Sequence, residues 1–335
     1  MELTETLEAS SGYSSRMDND RHGIVPGRPV THPGIVAGSR TTVRVGRTQP
    51  FSTADLLPAH VASETEWPLI DAVVAAVEAT GADSGVVEFS GALLPRISYC
   101  FPAYGDDVRP MLYSDTHESS GVVTAGTATV GYRRTAPEAP LTRWVHFHAA
   151  WQAADGELLG GHLWPETTTA GPLTNAVVWP LYGMSLVNST CEETLLPVFA
   201  PEPPLTAAGR GTSGGGAIAE TEGALRGDRT AVFARVRPNV DLGEVIASLS
   251  AEHGLAGGSV RGGTGSFVGA LYEGGRVVDG PATEVITLSG ILGEGAPALT
   301  CSLIDRHGAV HSGSLAVGRN VVGATYDLML AGPRG

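Results

Sequence analysis

Residues 68–87, "PLIDAVVAAVEATGADSGVV", and residues 241–260, "DLGEVIASLSAEHGLAGGSV", carry one pattern twice. Each places apolar residues at helical spacing, then a Gly turn, then the start of a strand. In the first, Leu69, Ile70, Val73, Val74 and Val77 share one helical face. The agreement continues downstream. A Ser-Gly or Gly-Ser step follows ("FSGALL" at 89–94, "GTGSFVGAL" at 263–271), then a strand ending in Gly ("VVTAG" at 122–126, "EVITLSG" at 284–290). Next come a hairpin ("ADGELLGGHL" at 154–163, "RHGAVHSGSL" at 306–315) and a closing apolar strand ("NAVVWPLYG" at 175–183, "GATYDLMLAG" at 323–332). This order predicts an α+β fold: an antiparallel sheet with one principal helix, used in two tandem copies.

The expected organisation is an arm over 1–38, a first unit over 39–199, a Gly/Pro-rich linker over 200–225 and a second unit over 226–335. The linker stretch, "APEPPLTAAGRGTSGGGAIAETEGALRG", is too dense in Pro and Gly for regular structure. The chain has 335 residues, 42% of them hydrophobic and 17% charged, with a mean hydropathy of +0.06. It contains neither a membrane-length apolar run nor the apolar centre of a secretory signal, so a cytoplasmic protein is expected. Cys100, Cys191 and Cys301 are far apart and read as buried free thiols. The formal net charge of −14 repels phosphate backbones and makes nucleic acid an unlikely partner.

The chemistry concentrates in residues 144–164, "WVHFHAAWQAADGELLGGHLW". His146 and His148 project to one face of a strand. Whether His162 joins them depends on the turn. A two-residue turn at Asp155-Gly156 sets His148 opposite Leu163 and turns His162 away. A three-residue loop, Ala154-Asp155-Gly156, with Gly156 in the left-handed position of a bulge, sets His148 opposite His162. The second is favoured, because its third position asks for Gly. Three neutral imidazoles on one hairpin suit Zn²⁺ or another borderline divalent ion, with a fourth position left for water or substrate. The ordinary alternative is three separate histidines in hydrogen bonds, with Trp packed around them. Aligning Gly156 with Gly308 puts Ala298, Thr300 and Ser314 at the corresponding places of the second copy, and none is an equivalent ligand.

The order of motifs resembles the PPC domain, also called DUF296, of plants and prokaryotes. The first copy carries "HFH" and "ADGELLGGHL", and the second carries "GTGSF" and "TLSG" but neither histidine element. The resemblance implies trimers, zinc held through the HxH and GGH histidines as in some prokaryotic members, and DNA binding through AT-hooks as in plant members. "VPGRPVT" at 25–31 contains a Gly-Arg-Pro core of that hook but lacks flanking basic residues.

Other candidates are weaker. Arg96, in "LLPRISYCF" with Tyr99, could pair with a carboxylate substrate or satisfy an internal acid. Glu88 could act as a general acid or base, or merely face outward from an edge strand. "GGSVRGGTGSFVG" at 257–269 lacks the order of a phosphate loop. The reading that follows is a metal-dependent hydrolase or lyase acting on a small anionic metabolite, in a homo-oligomer that is a trimer by resemblance. Its alternatives are a DNA-binding regulator of the PPC type and a structural assembly module with a stabilising metal.

Overall fold

Helix α1 (Leu69–Ala79) buries Leu69, Val73 and Val77 of the stripe read from the sequence, together with Ala72 and Ala76, while Ile70 and Val74 flank the core half-buried. Helix α2 (Leu242–Glu252) buries Leu242, Ile246 and Leu249, and its N-cap Asp241 accepts a 3.0 Å bond from the Glu244 amide. Both helices end just before a glycine of positive φ, Gly81 and Gly254, which turns the chain back toward a sheet.

In this computed structural model, residues 41–56, 67–205 and 227–335 are described, apart from positions 107, 108, 110, 167, 171, 172, 174, 281, 282 and 296. The fold is a sheet-rich α+β arrangement. The main strands are β1 (Thr42–Thr48), β2 (Phe51–Ser52), β3 (Gly85–Phe89), β4 (Leu93–Cys100), β5 (His117–Arg133), β6 (Thr142–Ala153), β7 (Leu158–Leu163) and β8 (Ala176–Pro180). They continue as β9 (Ser185–Thr190), β10 (Pro197–Glu202), β11 (Arg229–Val236), β12 (Ser259–Phe267), β13 (Thr283–Gly290), β14 (Leu299–Ile304), β15 (Val310–Ser314) and β16 (Val322–Ala331).

One sheet runs β2-β8-β3-β5-β6-β7-β4, and the other runs β1-β11-β16-β12-β13-β14-β15. Six successive positions match. β2-β8-β3-β5-β6-β7 has the same connectivity as β11-β16-β12-β13-β14-β15, with α1 and α2 at equivalent points. Two segments depart from the sequence reading. Residues 200–202, given to the linker, close β10 and pair with β9 from Ala200↔Val187 to Glu202↔Ser185, and linker positions 206–225 lie outside the described residues. Thr42–Thr48, assigned to the first unit, is an edge strand of the second sheet, paired antiparallel with β11 from Thr42↔Arg235 to Thr48↔Arg229. The pattern of a short strand does not say which neighbour it will join.

The sheets pack on each other through their non-helical faces. Val86, Trp179, Phe233 and Met329 form one shared apolar cluster, and Ala150, Ile286 and Ile304 form another. Polar contacts cross the same seam: Thr129 Oγ1 lies 3.2 Å from Thr264 Oγ1, and the Gly262 amide donates to Glu88 Oε1 at 2.7 Å. Burying such groups demands that each find a partner, so these bonds set how the two sheets register. Cys100, Cys191 and Cys301 are free and buried. Among the described residues, no helix is long and apolar enough to cross a membrane.

Candidate metal centre

The hairpin β6–β7 turns through Ala154-Asp155-Gly156. The Gly156 amide donates to the Ala153 carbonyl at 2.9 Å, and Gly156 has φ of 90°. This is the three-residue loop, and its register sets His148 directly opposite His162. The two glycines before His162 have separate steric reasons. A Cβ at Gly161 would lie 2.4 Å from the Cys100 carbonyl oxygen, so glycine lets β4 close against β7. A Cβ at Gly160 would lie 2.6 Å from the Ile304 side chain, so glycine lets the second sheet approach.

The three histidines meet. One ring nitrogen of each lies within 4.8 Å of the others. His146 Nε2 and His148 Nε2 are 3.2 Å apart. Two nitrogens bound tetrahedrally at about 2.0–2.1 Å would stand about 3.3 Å apart, so this spacing fits a shared ion.

The far nitrogens of two rings are held by the other sheet. His146 Nδ1 lies 2.9 Å from Asp327 Oδ2, which also accepts from Thr264 Oγ1 at 3.1 Å. His148 Nδ1 lies 2.9 Å from the Val285 carbonyl oxygen. Both acceptors are placed to take an Nδ1–H, which leaves Nε2 of each ring as the atom for an ion, the usual support of a metal-binding imidazole. His162 Nδ1 is buried with no hydrogen-bond partner. Burial, reinforced by the neighbouring His146 and His148, holds His162 well below the ordinary histidine range, so it is neutral and able to ligate. Burial also works to lower His148, but Glu284 outweighs it and the net shift is upward. Glu284 Oε2 sits 2.7 Å from His148 Nε2. The donor set and its unsatisfied nitrogen suit a divalent ion.

Beside the cluster opens a small cleft of about 60 Å³, lined by Tyr113, Trp144, Trp164, Asn188, Glu284 and Thr325 among others. No described residue lining it is Lys or Arg. The cationic side chain expected to complete a site for an anionic metabolite is therefore not in the described lining, and Glu284, paired with His148, faces the cleft instead.

The proposed catalytic residues do not gather there. Arg96 is exposed and pairs with Glu118 at 3.1 Å. Tyr99 is buried edge-on against Trp151, with ring centroids 4.7 Å apart, inside the first core. Glu88 accepts from Trp179 Nε1 at 3.0 Å and from the Gly262 amide, so it joins the sheets. In the second copy, Thr300 stands opposite Ser314 in the register that His148 and His162 use in the first. Sequence reasoning missed Asp327, Glu284 and Thr264. A signal existed for the first two: each is a lone acid in an apolar strand, "ATYDLML" and "TEVITL", where a buried charge needs a partner.

No protein-family model and no curated protein matches the chain. Solved structures with a similar fold include a plant- and prokaryote-conserved (PPC) protein from Pyrococcus horikoshii, at 16% identity and a TM-score of 0.29, covering 51% of this chain and all of that one. A candidate DNA-binding protein from Bacteroides thetaiotaomicron matches at 18% identity and a TM-score of 0.28, over 40% of this chain and 84% of that one. A metal-containing protein from Archaeoglobus fulgidus matches at 15% identity and a TM-score of 0.27, over 48% of this chain and 93% of that one. These descriptions name DNA binding, a conserved domain and a metal, and none names a hydrolase or lyase. Two expectations are corrected accordingly: the metal-dependent enzyme of small metabolites, and nucleic acid as an unlikely partner. A net charge summed over a whole chain is a poor guide to one local surface.

Proposed function

We propose that this chain is a PPC-type assembly module, in which His146, His148 and His162 hold one divalent ion that fastens the two sheets. Zinc is the assignment that the donor chemistry favours, since neutral imidazoles with no thiolate suit it best among abundant ions. The observation that carries the reading is the origin of the supporting groups. Asp327 and the Val285 carbonyl, which orient His146 and His148, belong to the other sheet. Loading the site therefore rewards the packed arrangement over any opened one. Three buried free thiols agree with a reducing, cytoplasmic setting.

The test is metal analysis of purified protein with thermal unfolding before and after chelation. One ion per chain, and a lower melting temperature after its removal, are expected. An ion-free protein that gains no stability from added Zn²⁺ would sink the reading.

A regulatory role on DNA is the second reading, carried by Gly27-Arg28-Pro29 in the arm, which lies outside the described residues. Binding to A·T-rich duplex at physiological salt, lost in Arg28→Ala, is its signature. Equal retention of the variant and the parent on that duplex would refute it.

A further inference from the structure

We infer that Glu284 is the fourth protein donor to the ion, so that the second sheet supplies a ligand as well as the supports. The inference rests on the three-histidine site proposed above. It begins from which nitrogen each acid touches. Asp327 contacts His146 at Nδ1, the side turned away from the cluster, and its Oδ2 is already shared with Thr264. Glu284 contacts His148 at Nε2, the nitrogen that faces His146 Nε2. One acid supports the site from behind. The other stands where the ion must go.

Burial then forces the exchange. Glu284 is 5% exposed, and its ion pair is with His148. When an ion takes His148 Nε2, the carboxylate loses that ring nitrogen as its partner. A buried carboxylate without a partner is strongly unfavourable. Binding to the ion replaces the lost contact with a stronger one, and carboxylate oxygen is an accepted zinc donor beside imidazole. The resulting set has three histidines from one sheet and one glutamate from the other. Such a set is closed, in the manner of structural rather than catalytic zinc sites. It makes the ion a direct link between β6–β7 and β13.

The experiment is Co²⁺ titration of the intact chain, as wild type and as Glu284→Gln. Gln keeps the size and can still accept from His148 in the ion-free protein, so folding is retained. For wild type we expect one Co²⁺ per chain with the intense visible absorption of four-coordinate cobalt. For Glu284→Gln we expect at least about tenfold weaker binding and a weaker absorption, as water enters the coordination sphere. Matching affinity and spectrum in the two proteins would remove Glu284 from the ligand set while leaving the histidine site standing. If wild type takes up no ion, the proposed function falls and takes this inference with it. Water-proton relaxation of the wild-type Co²⁺ protein gives a reading independent of the variant: a closed site shows no inner-sphere water, and an exchanging inner-sphere water overturns the assignment.

Discussion

His146 Nδ1 and Asp327 Oδ2 lie 2.9 Å apart although 181 residues separate them in the chain. Asp327 is fully buried, and its second oxygen, Oδ1, has no hydrogen-bond partner. Leaving a buried carboxylate oxygen unpaired is costly, and what this acid does contact is a ring nitrogen of the histidine cluster. Here it orients an imidazole across the seam between two sheets.

Replacing that acid should therefore weaken the ion rather than abolish it. Asp327→Asn keeps the shape and removes the charge, and we expect ion affinity to fall about 10–100-fold. Competition with a calibrated chelator measures it. An unchanged dissociation constant would remove Asp327 from the supporting role.

The two hairpins should respond differently to matched substitutions. His162→Ala removes one of the three ring nitrogens of the cluster and should abolish stoichiometric ion binding. Ser314→Ala changes the equivalent position of the second hairpin and should leave one ion per chain. Equal ion content in both variants would show that the cluster is not the site.

Gly161→Ala tests why the "GGH" sequence is spelled with glycine. The added methyl would stand 2.4 Å from the Cys100 carbonyl oxygen, so β7 and β4 must separate. We expect a loss of about 1–3 kcal/mol in urea unfolding, the ordinary cost of overpacking a tight contact. A variant as stable as the parent would mean that the strands separate freely there.

Asp305 offers a pH signature remote from the histidine cluster. Burial tends to raise its carboxyl, but bonds from His311, at 2.8 Å, and from the His307 and Ala309 amides outweigh it, and the net shift is downward. A depressed carboxyl contributes stability above its unfolded value and loses it as pH falls through the folded one. The stability gap between wild type and Asp305→Asn should thus be full near neutrality and shrink below about pH 4. A gap that is constant down to about pH 2 would contradict this.

Arg96→Ala is the control for the discarded anion site. The side chain is exposed and its partner Glu118 is too, so we expect a stability change within about 0.5 kcal/mol. Ion affinity should match wild type. A marked fall in that affinity would return Arg96 to the site.

Much of this molecule was legible before any coordinates. The α+β class followed from two stripes of helical spacing, each closed by a glycine, and the repeated order of strands followed from matching turns. The convergence of His148 with His162 followed from local backbone chemistry: Gly156 at the third loop position selects one register, and register selects a face. These are short-range properties, carried by residues a few positions apart. Arg96, Tyr99 and Glu88 failed as a catalytic set for the opposite reason. Their types suited the chemistry, but type says nothing about which layer a side chain enters, and the three went to solvent, to the first core and to the inter-sheet seam.

Sequence alone determined the fold class, the duplication and the three histidines on one face, because periodicity and turn geometry act within a strand or a hairpin. Tertiary structure alone decided that Thr42–Thr48 joins the second sheet and that Asp327, Glu284 and the Val285 carbonyl stand against His146 and His148. Those contacts span more than 130 residues, and they exist because two sheets bury their non-helical faces together and the polar groups caught between them gain most by pairing across the seam.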